Sequence, residues 1–334
     1  MFEPVSEIKN EPPRLIPSMV EGFNAIASHI YIILFPVLLD LMLWFGPLVR
    51  IKDLLLPTVL KASEISAPAY GADSQAFLET AKEMWTTILS QFNILSSLRT
   101  FPVGIPSLLI SKGIIKNPLG SVYVIELQSA DSALALMLGL LLLGLVLGSL
   151  YFAMIAVVTN PDSGPLKLSE LLRQTMQCLL LSFILICGVL VLLIPAVCLV
   201  STLALFLPSL GSLPLLILSL IMVWFLLPIA FSPHGIFANH FNATAAIANS
   251  FRLVRSSMNA TGMFFIMLIL LSYGLDALWS TPPIDSWMLL VGILGHGFIS
   301  SGLIASSFAF YSRGMKWVQE VIREINAGKP KILS

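Results

Sequence analysis

The sequence predicts an all-α, polytopic helical membrane protein, and three observations lead to this fold class. Hydrophobic residues make up 57% of the 334 residues and charged residues only 11%, whereas ordinary soluble domains carry about 25% charged residues. The mean hydropathy is +0.93. Six apolar stretches reach the roughly 20 residues that a transmembrane helix needs. The formal net charge is zero, so no overall field attracts nucleic acid, and that class of function is excluded.

Six transmembrane helices divide the chain into five parts. The predicted spans are residues 25–49, 131–158, 178–200, 211–232, 258–280 and 287–311. We therefore expect a cytoplasmic leader or interfacial segment (1–24), a first span (25–49), an extracytoplasmic helical cap (50–130), a five-span membrane domain (131–311) and a cytoplasmic tail (312–334).

The distribution of basic residues predicts the orientation. The short connections on the side of the two termini hold 11 lysines and arginines, and the two short loops on the opposite side hold none. Positive charge collects in short cytoplasmic loops. The sequence thus predicts a multi-pass protein of the cell (inner) membrane with both termini in the cytoplasm.

Helices on the membrane surface are predicted beside the spans. Residues 171–177 align with residues 253–259 at an offset of 82, which predicts hairpin pseudo-repeats of a surface helix and two spans. Residues 237–258 have apolar side chains at helical spacing, with Arg252 and Arg255 nearby. This pattern is typical of an interfacial helix whose arginines, like Arg173, face anionic headgroups. Such a helix either only orients the next span or binds a lipid headgroup or a partner.

The cap contains a second amphipathic pattern at residues 74–98 and a proline-broken apolar stretch at 101–110. A segment with so few charges is not expected to extend freely into water. We therefore predict small helices that rest on the outer ends of the spans. Their role is either packing or that of a substrate gate or partner dock.

Two ionisable residues are predicted at the same membrane depth. Asp40 lies nine residues from the outer end of the first span, and His296 lies nine residues from the outer end of the last one, so each is about 13 Å deep. Ionisable groups inside a membrane usually face the bundle interior and find a partner. We expect Asp40 and His296 to face each other, either as a structural clip or as a proton-binding site; that they never meet stays open.

Small residues predict close helix packing at two places. Gly144 and Gly148 form a Gly-x-x-x-Gly face in the second span, and Gly292 and Ser300 flank His296 at four-residue spacing. Small residues at this spacing let helix backbones approach.

Motifs of catalysis and metal binding are not found in the sequence. It contains no P-loop, no Gly-x-Ser-x-Gly and no His-Glu-x-x-His. His234 and His240 are six residues apart and therefore point to different faces of a helix, which makes them a poor metal pair. We expect no catalytic residue, no metal site and no cofactor.

Residues 131–320 resemble a known family of membrane proteins. Its features are the Ser/Ala-rich surface helix at 245–255, the apolar span that follows it, and the closing sequence Phe310-Tyr311-Ser312-Arg313. In these the chain resembles bacterial polytopic membrane proteins grouped near the membrane domain of glycerophosphodiester phosphodiesterases and the YciC-type inner-membrane proteins. The resemblance implies a helical membrane domain and transfers no catalytic residue, because the sequence lacks the soluble phosphodiesterase domain.

Together these patterns favour a non-enzymatic integral membrane protein that organises lipids or a partner complex. Its expected partner is the lipid bilayer, and a membrane-protein partner or a second copy of the chain stays open. The alternative is a proton-coupled transporter or permease that uses Asp40 and His296. The first function predicts a dry, sealed bundle, whereas the second requires water at mid-membrane depth.

Overall fold

The computed structural model describes residues 12–160, 164, 166–206 and 213–326, and its fold is helical. In that part of the chain, five helical segments are long and apolar enough to cross a membrane, namely Ala130–Thr159, Leu168–Leu203, Leu213–Asn239, Met258–Trp279 and Leu289–Glu324. The predicted all-α polytopic fold class is confirmed. The last eight residues of the predicted tail (327–334), the start of the leader and the loop around Pro208 lie outside the described residues.

The secondary structure consists of helices and a few short strands. In chain order the helices are α1 (Leu15–Ser28), α2 (Leu34–Phe45), α3 (Lys52–Ser66), α4 (Ser74–Gln91), α5 (Ala130–Thr159), α6 (Leu168–Phe206), α7 (Leu213–Leu226), α8 (Ser232–Asn239), α9 (Ala243–Ser256), α10 (Met258–Trp279) and α11 (Leu289–Asn326). The strands are β1 (Leu48–Arg50), β2 (Lys116–Asn117), β3 (Gly120–Ser121) and β4 (Val124–Glu126).

The predicted first span is bent and does not form one straight helix. A bend of 90° separates α1 from the helical segment Ile30–Phe45, and the two count as a sixth span only when taken together. The bend falls at His29, whose Nδ1 lies 2.9 Å from the carbonyl oxygen of Ala25. Pro36 is the third residue of α2, where its missing N–H costs no helical hydrogen bond. The end of the predicted span is extended and forms β1.

The chain divides into two compact units. The first comprises residues 1–29, 152–271 and 302–334, and the second comprises residues 30–151 and 272–301. Helices α5, α10 and α11 contribute residues to both.

Aromatic side chains form much of the core of the first unit. Phe310 stacks on Phe264 with 4.2 Å between ring centroids and on Phe231 with 5.8 Å. Helix α1 approaches α11 closely, because a Cβ on Gly22 would come within 2.2 Å of the backbone nitrogen of Ser306. Most apolar side chains of α6 and α7 remain exposed, as expected of helices that contact lipid.

The surface helix predicted over residues 237–258 is interrupted in the first unit. Helix α8 ends at Asn239, and His240 adopts the left-handed conformation with φ 55°. Helix α9 then begins after Asn242, whose side-chain oxygen accepts a hydrogen bond from the Ala245 N–H. This N-cap satisfies one of the free N–H groups at the start of a helix and fixes where α9 begins.

In the second unit the insertion between α2 and α5 is built from α3, α4 and two strand pairs. Strand β1 pairs in parallel with β4, and β2 pairs with β3 as an antiparallel hairpin. Glu126 of β4 accepts hydrogen bonds from Arg50 of β1 and from the backbone N–H of Asp53 in the first turn of α3. The helix predicted at 74–98 ends earlier, at Gln91, because Phe92 and Asn93 are extended.

Candidate intramembrane polar site

A non-helical segment of the insertion returns into the helix bundle of the second unit. It is preceded by Asn93, whose side chain binds the carbonyl of Pro47 and the N–H of Val49 just beyond the end of α2. The N–H of Leu109, near its end, binds the carboxylate of Asp40. Asp40 lies five residues before the last residue of α2, about 7.5 Å along the helix. We call residues 98–109 the re-entrant segment.

The two glycines predicted to pack against another helix contact this segment instead. A Cβ on Gly144 would come within 2.2 Å of the carbonyl oxygen of Leu98, and a Cβ on Gly148 within 2.8 Å of the carbonyl oxygen of Val103. Because glycine has no Cβ, the irregular backbone of the re-entrant segment can approach the backbone of α5.

The re-entrant segment is buried despite its irregular backbone. Phe101 is exposed, but four other apolar side chains of the segment are almost fully enclosed: Val103, Ile105, Leu108 and Leu109. Backbone outside a helix or closed barrel is tolerated at membrane depth only where protein surrounds it or where it lines a water-filled cavity. Its N–H groups therefore need partners within the protein.

Asp40 provides an acceptor for two of those N–H groups. Its Oδ1 accepts hydrogen bonds from the hydroxyl of Ser107 and the N–H of Leu109, and its Oδ2 accepts one from the N–H of Leu108 at 3.0 Å. The carboxylate is completely buried. Three hydrogen bonds thus join one side chain of α2 to consecutive residues of the insertion, so Asp40 fixes the re-entrant segment to α2.

His296 is bound by a different carboxylate. Its Nδ1 lies 2.7 Å from Oδ1 of Asp276 in α10. The imidazole is 6% exposed and the aspartate side chain 36% exposed, so the pair extends from the protein interior toward the surface. The other ring nitrogen, Nε2, is buried and has no hydrogen-bond partner among the described residues.

Small residues on α11 allow this pair to form. A Cβ on Gly292 would come within 2.3 Å of the carbonyl oxygen of Trp279, and a Cβ on Gly295 within 2.8 Å of the Trp279 indole. Helix α10 therefore lies close to α11, within one turn of both Asp276 and His296. Ser300, the other predicted packing residue, donates its hydroxyl hydrogen to the carbonyl oxygen of His296 on its own helix.

The structure thus brings Asp40 and His296 into one neighbourhood without joining them. Helices α2 and α11 meet beside His296, since a Cβ on Gly297 would come within 3.0 Å of the Val37 side chain, but Asp40 and His296 each make their hydrogen bonds with other residues. Lys112 follows the re-entrant segment and adds a positive group. Burial lowers the pKa of Lys112, and the carboxylates of Asp40 and Asp276 act in the opposite direction.

The three arginines predicted to face headgroups lie in the first unit. Arg173 donates a hydrogen bond to the backbone carbonyl of His240 at 3.0 Å and is exposed. Arg252 lies 3.4 Å from the side-chain oxygen of Asn249 on its own helix. Arg252 and Arg255 are exposed on α9.

Ser107, Lys112 and the pairing of Asp276 with His296 were not identified from the sequence. The only sequence signal for the first two was the apolar stretch broken by Pro102 and Pro106. Within the described residues, no group of three or more His, Cys, Asp or Glu side chains could hold a metal ion. The candidate site consists of the carboxyl groups of Asp40 and Asp276, the imidazole of His296 and the amine of Lys112. These groups can exchange protons and carry charge.

Comparisons of the chain with protein-family models, with curated proteins and with solved structures find no match.

Proposed function

We propose that this chain is a non-enzymatic, proton-coupled transporter or permease that works through the Asp276–His296 pair. The observation that supports it is the pair itself, a buried imidazole hydrogen-bonded to a partly exposed carboxylate. Histidine is the side chain that changes charge most readily near neutral pH. Ionisable groups within membrane helices typically mark proton relays and ion pathways.

The two carboxylates have different roles in this proposal. Asp40 holds the re-entrant segment in place, since all its hydrogen bonds go to that segment. Asp276 exchanges protons with water and with His296. The free Nε2 of His296 is then available to a water molecule or a solute, and the irregular backbone beside it provides polar groups of the kind that transporters use at broken helices.

The proposed setting is the inner membrane, with both termini in the cytoplasm. Six spans give that arrangement only if the bent pair of α1 and α2 crosses the membrane as one span. The basic residues in the short connections on the terminal side support it.

A second candidate function is the organisation of lipids or a partner complex by a dry bundle. The full set of hydrogen bonds at Asp40 favours it, because a carboxylate that only fixes a segment needs no water. In that case the Asp276–His296 pair would be a second structural contact between α10 and α11.

Thiol labelling distinguishes the two functions. Single cysteines would replace Ser300 or Ser301 in a chain without Cys178, Cys187 and Cys198. Ser300 lies one turn from His296 and is half-buried, whereas Ser301 has the same depth, is buried and contacts Tyr151. With a water-soluble methanethiosulfonate in intact membranes, the transporter function predicts rapid labelling at position 300 and slow labelling at 301.

The pH response completes the test. Labelling at 300, normalised to a cysteine at the exposed Thr281, should change with pH, because a proton-coupled pathway responds to the proton concentration. The variant His296→Gln should lose that change, and Asp285→Asn, an exposed carboxylate before α11, should keep it. Equal and slow labelling at both positions in a folded protein would overturn the transporter function and favour the dry bundle.

A further inference from the structure

A groove runs along the exposed face of α9 in the first unit. It has a volume of about 460 Å³ and its lining includes Ile247, Ala248, Phe251, Arg252, Arg255 and Ser256. These residues lie three or four positions apart, so they share one face of the helix. We call it the α9 groove.

The rest of α9 is held firmly against the protein. Ser250 donates a hydrogen bond to the carbonyl of Pro228 and accepts one from the N–H of Phe231. Leu253 and Val254 are fully buried. The face that carries the groove is therefore fixed in position and free of these contacts.

The groove lies directly before a membrane-spanning helix. Helix α9 ends at Ser256 and α10 begins at Met258, with the hydroxyl of Ser257 bonded to the Leu253 carbonyl and near the Thr261 hydroxyl. The start of a transmembrane helix is the level at which lipid headgroups meet acyl chains. The α9 groove is thus at headgroup depth.

The chemistry of the groove has two parts. Arg252 and Arg255 provide guanidinium groups, which bind phosphate oxygens through paired N–H donors. Among the residues that the structure describes, neither pairs with a carboxylate. Beside them Phe251 is 48% exposed, and Ile247 and Ala248 extend the apolar part. A free phosphate would use only the arginines, whereas a phospholipid uses both parts.

We propose that the α9 groove binds one anionic phospholipid. Its phosphodiester lies between Arg252 and Arg255, and its first acyl segment lies along Ile247, Ala248 and Phe251. A zwitterionic lipid binds less well, because its ammonium group is repelled by the two guanidinium groups. This site is independent of the proposed transport function and of the polar site in the second unit.

The test is native mass spectrometry of the full chain, titrated in detergent with phosphatidylglycerol or with phosphatidylcholine of the same acyl composition. The unmodified protein should retain one phosphatidylglycerol more tightly than phosphatidylcholine. The double variant R252Q/R255Q should bind phosphatidylglycerol roughly 25-fold more weakly, since each of the two interfacial arginines contributes about fivefold.

Three controls make the outcome decisive. R323Q removes an exposed arginine of α11 outside the groove and should leave binding unchanged, and R252K/R255K keeps the charge and should retain most of it. Inorganic phosphate at millimolar concentration should not displace the lipid. Equal retention of both lipids, equal retention by R252Q/R255Q, or displacement by free phosphate would each overturn the proposal.

Discussion

Ser107 donates a hydrogen bond to Asp40 across 67 residues of sequence, and both side chains are buried. The bond joins the re-entrant segment to α2 through a carboxyl group that also accepts hydrogen bonds from the N–H groups of Leu108 and Leu109.

Ser107→Ala should therefore lower the free energy of unfolding by about 2 kcal/mol. Asp40→Ala should cost more, because it also leaves the N–H group of Leu108 without an acceptor and leaves that of Leu109 with only the Ser107 hydroxyl. Reversible unfolding in mixed micelles measures both. Ser301→Ala is the matched control, since it removes a bond between two neutral hydroxyls at a cost of about 1 kcal/mol. A loss at Ser107 no larger than that at Ser301 would contradict this account.

Two glycines of α5 should respond in opposite ways to alanine. At Gly144 the new methyl group would collide with the Leu98 carbonyl, whereas at Gly139 nothing lies within 4 Å. Gly144→Ala should destabilise the protein by about 1–3 kcal/mol through overpacking. Gly139→Ala should be neutral or stabilising by about 0.5 kcal/mol, because alanine favours a helix. The melting temperatures of the two variants are compared by thermal unfolding. Equal melting temperatures would rule out a close contact between the re-entrant segment and the backbone at Gly144.

Lys112 should make stability depend on alkaline pH. Its pKa is lower in the folded protein than the ordinary 10.5, so between the two values the unfolded chain binds more protons. Stability then rises with pH across that interval, which ends at about 10.5. Unfolding measured against pH should show this rise in the unmodified protein and in Lys116→Gln, a change at an exposed hairpin lysine. Lys112→Gln should lack it, and a rise that persists in that variant would assign it to another group.

The sequence predicted most of the membrane helices because their apolar runs are long and continuous. Helix α5, for example, begins and ends within one residue of the predicted span. The bend in the first span was not predicted, because hydropathy carries no information about the direction of a helix. The predicted repeat also differs in detail, since α6 continues through residue 177 while the corresponding chain breaks at Ser257.

The candidate site was only partly predictable. That Asp40 and His296 are buried follows from where they lie in their spans. Their hydrogen-bond partners depend on Ser107, which belongs to the insertion, and on Asp276, which sits near the end of its span. Hydropathy could not indicate that an insertion returns into the bundle, because the re-entrant segment is too short and too interrupted by proline to score as a span.

The parallel pairing of β1 with β4 makes the insertion a detachable module. Its two ends lie side by side, with the N–H of Leu127 bonded to the carbonyl of Arg50, and paired strands are only about 4.8 Å apart. A short linker could therefore close the chain after excision of the residues between them. The shortened chain would keep every membrane helix while exposing the carboxylate of Asp40, and it would separate what the helices do alone from what the insertion adds.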